Sequence, residues 1–219
     1  ERMGMIVTAI AGGLVSSTAV TFSLARFARE KKTTIIFSGG VLVASSIMFF
    51  RVMVEVLVVH AALMQLLWLP LIIMLLGLLC SLVWVLRQQD KDTQGHGQKI
   101  ELRNPLQLGM ALQFGVLLSV ILLLSEAVKE WFGNQGVYVL SVVSGLMDVD
   151  AITLSLSRSA HSDLAAEVAI TGIVLACAAN TLFKGLIFAF IAGFRKNIHV
   201  PLFMFAAMVP GLLIALAYV

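Results

Sequence analysis

Residues 13–26 read GLVSSTAVTFSLAR, and residues 145–158 read GLMDVDAITLSLSR. At a constant offset of 132, Gly13 pairs with Gly145, Leu14 with Leu146, Ala19 with Ala151, Thr21 with Thr153, Ser23 with Ser155, Leu24 with Leu156 and Arg26 with Arg158. With a small shift the match continues, Phe50-Arg51 against Phe183-Lys184 and Pro70-Leu71 against Pro201-Leu202. One short apolar match would be weak evidence. Three collinear ones that include basic and proline positions make an internal repeat.

The repeat lies in a chain that water does not suit. Of its 219 residues 60% are hydrophobic and 12% charged, and the mean hydropathy is +1.01. Soluble domains are nearer a quarter charged, so an ordinary cytosolic enzyme is excluded. Residues 3–25, 56–86, 104–125 and 197–219 contain no Asp, Glu, Lys or Arg, and runs of that length are membrane spans. At roughly 20–25 residues each, the length allows about seven.

The expected fold is therefore an all-α polytopic membrane protein. Its helices are predicted near 4–27, 34–59, 62–86, 105–131, 136–159, 164–193 and 200–219. Residues 1–86 form a first repeat of three helices, 87–104 (RQQDKDTQGHGQKIELRN) a cytoplasmic linker, and 105–219 a second repeat of four. The unpaired helix predicts a further N-terminal helix ahead of Glu1. If all seven segments cross once, the first and fifth run the same way, which predicts two parallel repeats. Arg26, Arg29, Lys31, Lys32, Arg87, Lys91, Lys99, Arg103 and Arg158 then share one side, and Arg2, Lys129, Arg195 and Lys196 the other. The positive-inside bias makes the first side cytoplasmic. A re-entrant segment would break that argument.

An Asp at a helix centre costs about 3 kcal/mol on insertion scales, so intramembrane acids persist where they face protein, water or a ligand. Asp148 and Asp150 fall near the middle of the fifth segment. Gly145 is expected to break that helix, with Asp148 capping a new half-helix from Val149. The first segment repeats the plan, with Gly12-Gly13 as the break and Ser16, Ser17 and Thr18 as cap and hydroxyl ligands. Broken helices 1 and 5 meeting near the midplane are where secondary transporters hold substrate. Asn180 and Lys184, one turn apart, share a face, and Lys184 is the expected counter-charge for Asp148 or Asp150. Arg51 and Glu55 are expected to neutralise each other at i,i+4. Pro70 and Pro201 are placed in first turns, where proline is tolerated. Gly115, Gly172 and Gly185 read as close-packing positions.

These motifs carry a resemblance. GGLVSSTAVT at 12–21, GLMDVDAITLSLSR at 145–158, Asn104-Pro105, Asn180-Thr181 and Lys184 resemble the C-terminal membrane domain of unknown function of MgtC/SapB-type membrane proteins. The resemblance implies a membrane location and an association with magnesium physiology, and no defined substrate.

The expected function is a multi-pass inner (plasma) membrane transporter or channel for a small ion. A cation leads, a divalent one such as magnesium included. Ser16, Ser17, Thr18, Asp148, Asp150, Asn180 and Lys184 would bind the ion, with Asp148 and Asp150 as metal ligands. Carboxylates, hydroxyls and an amide are hard donors suited to Mg²⁺, Ca²⁺, Mn²⁺, Na⁺ or H⁺. The alternative is a non-transporting scaffold or regulator that binds another membrane protein. No nucleophile elbow or phosphate loop is visible, so no enzyme is predicted. His60, His96, His161 and His199 show no ligand spacing. The expected partners are the lipid bilayer, the ion and a second copy of the chain, and no nucleic acid.

Overall fold

The structure, a computed structural model, describes residues 17–30, 35–89, 108–162 and 164–218. These residues form helices and no strand. The helices are α1 (17–30), α2 (Ile35–Val59), α3 (Ala61–Gln89), α4 (Leu108–Met147), α5 (Val149–Ser159), α6 (Ala166–Ala192), α7 (Phe194–Asn197) and α8 (His199–Leu216). Four segments are long and apolar enough to cross a membrane: α2, Ala61–Arg87 of α3, α6 and α8. Their backbone groups are satisfied within each helix, which is what hydrocarbon demands. Pro70 lies in the interior of α3 rather than in its first turn, while Pro201 sits in the first turn of α8. The expected 87–104 connection begins inside α3, and the rest of it lies outside the described residues.

The chain divides into two compact units that cut across the halves of the sequence. The first is Glu1–Phe50, Leu75–Pro105 and Thr181–Ala207, and the second is Arg51–Met74, Leu106–Asn180 and Met208–Val219.

In the first unit, α1 packs between α2 and α6. Leu24 lies over Gly40, where an added Cβ would be 2.8 Å from Leu24 Cδ1. Phe27 stacks on Phe37 with centroids 6.3 Å apart. Advancing along α1 therefore retreats along α2, and the two are antiparallel. Against α6 the order is reversed. Ser17 meets Lys184, and Phe22 lines an apolar cavity of about 340 Å³ with Leu186, Ile187, Phe190, Ile191 and Phe194. Hence α1 and α6 are parallel, and α2 and α6 run in opposite directions. So do α3 and α8, since Gly77 lies against Ala207 and Trp84 against Phe203, 4.6 Å between centroids.

The second unit is organised by a hairpin. Gly133, at φ 60 and ψ −148, divides α4 into arms 108–132 and 134–147. An added Cβ on Gly172 would lie 2.7 Å from Leu156 Cδ1 and 2.8 Å from Ser141 Oγ. In one straight helix, residues 141 and 156 would be about 22 Å apart. Both can reach Gly172 only because the chain turns back between Met147 and Val149. Beside this hairpin, residues 137 and 141 lie by Gly172, and Gly145 by Ala176, so the arm 134–147 is parallel to α6. The returning α5 is parallel to the end of α2, with Asp150 opposite Arg51 and His161 opposite Val59.

Two expectations are corrected here. The segment 136–159 is not a single interrupted helix; the chain folds back at Asp148 and returns as α5. The helices expected to be parallel mates, α2 with α6 and α3 with α8, run in opposite directions. The break also lies at Asp148 and not at Gly145, which remains helical. Gly145 is small for a different reason: its Cβ would fall 2.5 Å from Ala176 O and 2.8 Å from Ala176 Cα, so only glycine lets the arm lie on α6.

Candidate functional site

The hairpin tip is built by one residue. Asp148 is extended, at φ −156 and ψ 136, and caps α5 by accepting from Asp150 N at 3.4 Å. The cap works because the first N–H groups of any helix lack intrahelical partners. On the incoming arm the end carbonyls have the complementary need. Asn180 Nδ2 meets one of them, donating to Gly145 O at 2.6 Å. Asn180 is 3% exposed. It therefore clamps the arm to α6 just ahead of the turn.

Arg51 on α2 forms a salt bridge with Asp150 on α5. Lys184 was expected to meet Asp148 or Asp150, and Arg51 to meet Glu55; Asp150 is instead salt-bridged to Arg51, because α5 runs beside α2 and brings Asp150 level with the guanidinium. Glu55, one turn beyond, stays within electrostatic reach of Arg51 and Asp148. Its Oε2 is buried and has no hydrogen-bond partner. Asp150 thus pairs with Arg51, while Glu55 lies within electrostatic reach of both Arg51 and Asp148.

The first unit has a related arrangement. Ser17 opens the described part of α1, and its Oγ accepts from Lys184 Nζ at 2.6 Å. The ammonium is 1% exposed and also reaches Met48 Sδ at 3.5 Å. Thr21 Oγ1 donates to Ser17 O at 2.8 Å. Thr18 is only half-buried. Ser16, Gly12 and Gly13 lie outside the described residues, as does Gly115's side of α4 for any packing contact. Gly185 is tight against α8, its Cβ position 2.7 Å from Met204 Sδ.

Asp148, Asp150 and Asn180 are thus gathered at one tip, and Ser17 and Lys184 meet in the other unit. Sequence reasoning missed a cross-over. Arg51 and Lys184, which the sequence alignment pairs, each engage a residue from the other half of the sequence, Asp150 on α5 and Ser17 on α1. The signal was present in the alignment of Phe50-Arg51 with Phe183-Lys184, but its meaning depends on helix direction.

As ligands, these residues are hard oxygen donors. Asp150 is committed to Arg51, and among the described residues no group of three or more His, Cys, Asp or Glu side chains is placed to hold a metal ion.

Residues 1–192 match the family described as Domain of unknown function (DUF4010). A protein of Aquifex aeolicus (strain VF5), described as "Uncharacterized protein", is 35% identical over 194 residues, covering 88% of this chain and 84% of the relative. No solved structure matches.

Proposed function

Since the chain belongs to the DUF4010 family, whose description carries no activity, we propose from the site alone that it is a multi-pass inner-membrane transporter of a small ion, a cation first. The observation that carries this reading is the reversal of the chain at Asp148. Broken backbone at membrane depth is tolerated where it lines a cavity or is buried in protein, and transporters place ion sites at such breaks. Two carboxylates at the turn supply the ligand chemistry.

In the proposed cycle Arg51 neutralises Asp150 while the site is empty. An arriving cation takes Asp148 and Asp150 and displaces the guanidinium, whose departure loosens the grip of α2 on α5. Opposed directions in α2 and α6, and in α3 and α8, support an inverted repeat, the arrangement in which two halves rock about a fixed site. The resemblance to MgtC/SapB-type membrane domains puts magnesium first among the ions to try.

Helix directions also revise the orientation. In the first unit α1 and α6 are parallel and α3 opposes α8, so exposed Arg26, Arg29, Arg87, Arg195 and Lys196 gather at the same end of their helices. The positive-inside bias assigns that end to the cytoplasm. Arg195 and Lys196 move inside relative to the seven-crossing expectation.

The test is flux. In proteoliposomes, Asp148→Asn should lower uptake of the transported ion, screened over Mg²⁺, Mn²⁺, Ca²⁺ and Na⁺, to the level of empty vesicles. The variant should keep its elution profile in detergent, because an asparagine still caps a helix. Wild-type flux through Asp148→Asn would overturn the proposal. Absence of flux in the wild type for every ion would favour the scaffold reading.

A further inference from the structure

The seam between α2 and α5 holds more polar chemistry than an ion pair needs. The two helices are parallel and in register from Arg51 opposite Asp150 to Val59 opposite His161. Along it lie three buried oxygens without hydrogen-bond partners: Glu55 Oε2, Thr153 Oγ1 and Ser157 Oγ. Thr153 and Ser157 are both 0% exposed. Thr153 lies one turn past Asp150 and Ser157 a turn further, so both share the Asp150 face of α5. Glu55 lies one turn past Arg51 on α2. Leaving one buried hydroxyl or carboxylate oxygen unsatisfied costs about 1–3 kcal/mol. Three in one seam are a recurrent expense unless water supplies the missing bonds.

The contrast with the first unit sharpens the point. Thr21 and Thr153 are equivalent in the repeat, and Thr21 satisfies its hydroxyl by bonding back to Ser17 O. Thr153 does not bond back. Its hydroxyl is left for a partner in the seam.

At the far end the seam closes on two imidazoles. His60 and His161 stack with ring centroids 3.8 Å apart and planes 12° from parallel. Their ring nitrogens donate across the helices, His60 Nδ1 to Ser157 O at 3.3 Å and His161 Nε2 to Val59 O at 2.9 Å. His161 is exposed and His60 half-buried. From Asp150 to Ser159 the helix rises about 14 Å, roughly half the hydrocarbon thickness of a bilayer.

We propose that the α2–α5 seam is a proton path, with His60 and His161 as its entrance and Glu55 as the carboxylate at its inner end. Carboxylate and histidine chains are how membrane proteins move protons. A proton taken up by an imidazole nitrogen passes through water held by Ser157 and Thr153 to Glu55 Oε2. Glu55 holds it there, and the imidazole returns to its neutral form. Of the charged groups along the seam, α2 brings Arg51 and Glu55, and α5 brings Asp150 and Arg158. The α4 arm (134–147) and α6 over 168–180 bring no charged side chain. Arg51 sets the direction of use. While it holds Asp150, the carboxyl of Glu55 keeps its proton; when the ion displaces it, the free guanidinium favours proton release from Glu55. The inference rests on the transporter reading, and makes the proton its coupling ion.

Two measurements separate it from that reading. Infrared difference spectra of the lipid-reconstituted protein, between acidic and alkaline buffers, should show a protonated carboxyl band that Glu55→Gln removes. Proton influx into vesicles carrying a pH-sensitive dye, driven by a potassium diffusion potential with valinomycin, should fall on the order of a hundredfold in Glu55→Gln. Thr153→Val keeps the shape and deletes only the unpartnered hydroxyl. It should slow proton influx while raising thermal stability, and it decides the matter if Glu55→Gln fails to fold. A purely structural seam predicts a stabilised Thr153→Val with undiminished proton flux, and that result overturns the path. If the band and the proton flux are present while no metal cation moves, the path stands and the cation reading falls. If a cation moves and Glu55→Gln leaves proton flux and spectrum unchanged, the reverse holds.

Discussion

Asp150→Ala is expected to destabilise the protein by about 3 kcal/mol, the lower end of the range for breaking a buried pair. The lower end applies because the Arg51 side chain keeps 24% of its exposure while that of Asp150 keeps 10%. The loss is not the worth of the ion pair. It is the cost of leaving a guanidinium at membrane depth with its partner gone. A double substitution distinguishes the two. Arg51→Met with Asp150→Leu removes both charges and fills similar volume, so it should cost less than Asp150→Ala alone. Thermal unfolding in detergent of the wild type, both single variants and the double variant measures the cycle. Equal stability of Asp150→Ala and wild type would show that the pair is screened by water throughout. The double variant should be stable and without flux, because it keeps the fold and loses the carboxylate.

Gly145→Val is the second large effect. Even the Cβ shared by alanine and valine would lie 2.5 Å from Ala176 O and 2.8 Å from Ala176 Cα. Both atoms are backbone on α6, so neither can rotate away. The arm must move off α6, which stretches the Asn180–Gly145 clamp and shifts the hairpin tip. Overpacking costs about 1–3 kcal/mol, and the weakened hydrogen bond adds about 1 kcal/mol. Gly39→Ala is the control, since its nearest neighbour, Leu82 Cδ1, would be 3.7 Å away. Melting temperatures should fall sharply for Gly145→Val, less for Gly145→Ala, and hardly for Gly39→Ala. A tolerated Gly145→Val would mean the hairpin is not held against α6.

Periodicity and composition made the helices legible, and the Asp148 cap with α5 starting at Val149 was readable from residue type alone. Direction was not. A hairpin and a crossing helix are written with the same apolar residues, and only the side on which the chain emerges separates them. For this stretch that information resides in contacts such as Leu156 and Ser141 on one glycine. The misplaced partners follow from the same gap. Glu55 was the nearest acid to Arg51 along the chain, but the reversal at Asp148 brings Asp150 closer in space. Gly145 looked like a breaker because glycine ends helices; that it also lets helices touch is a tertiary property. The pairing of His60 with His161, a hundred residues apart, had no local signature.

The cross-over of Arg51 to α5 and of Lys184 to α1 has a consequence for how the chain can be divided. Neither half holds what its own half-helix needs. Cut within 90–107 and made separately, the first half would carry Arg51 with no Asp150, and the second Lys184 with no Ser17. Each would then expose to lipid a cation whose partner was left on the other fragment. The two fragments should be degraded when produced singly and recovered when produced together. Recovery of each fragment should depend on the presence of the other.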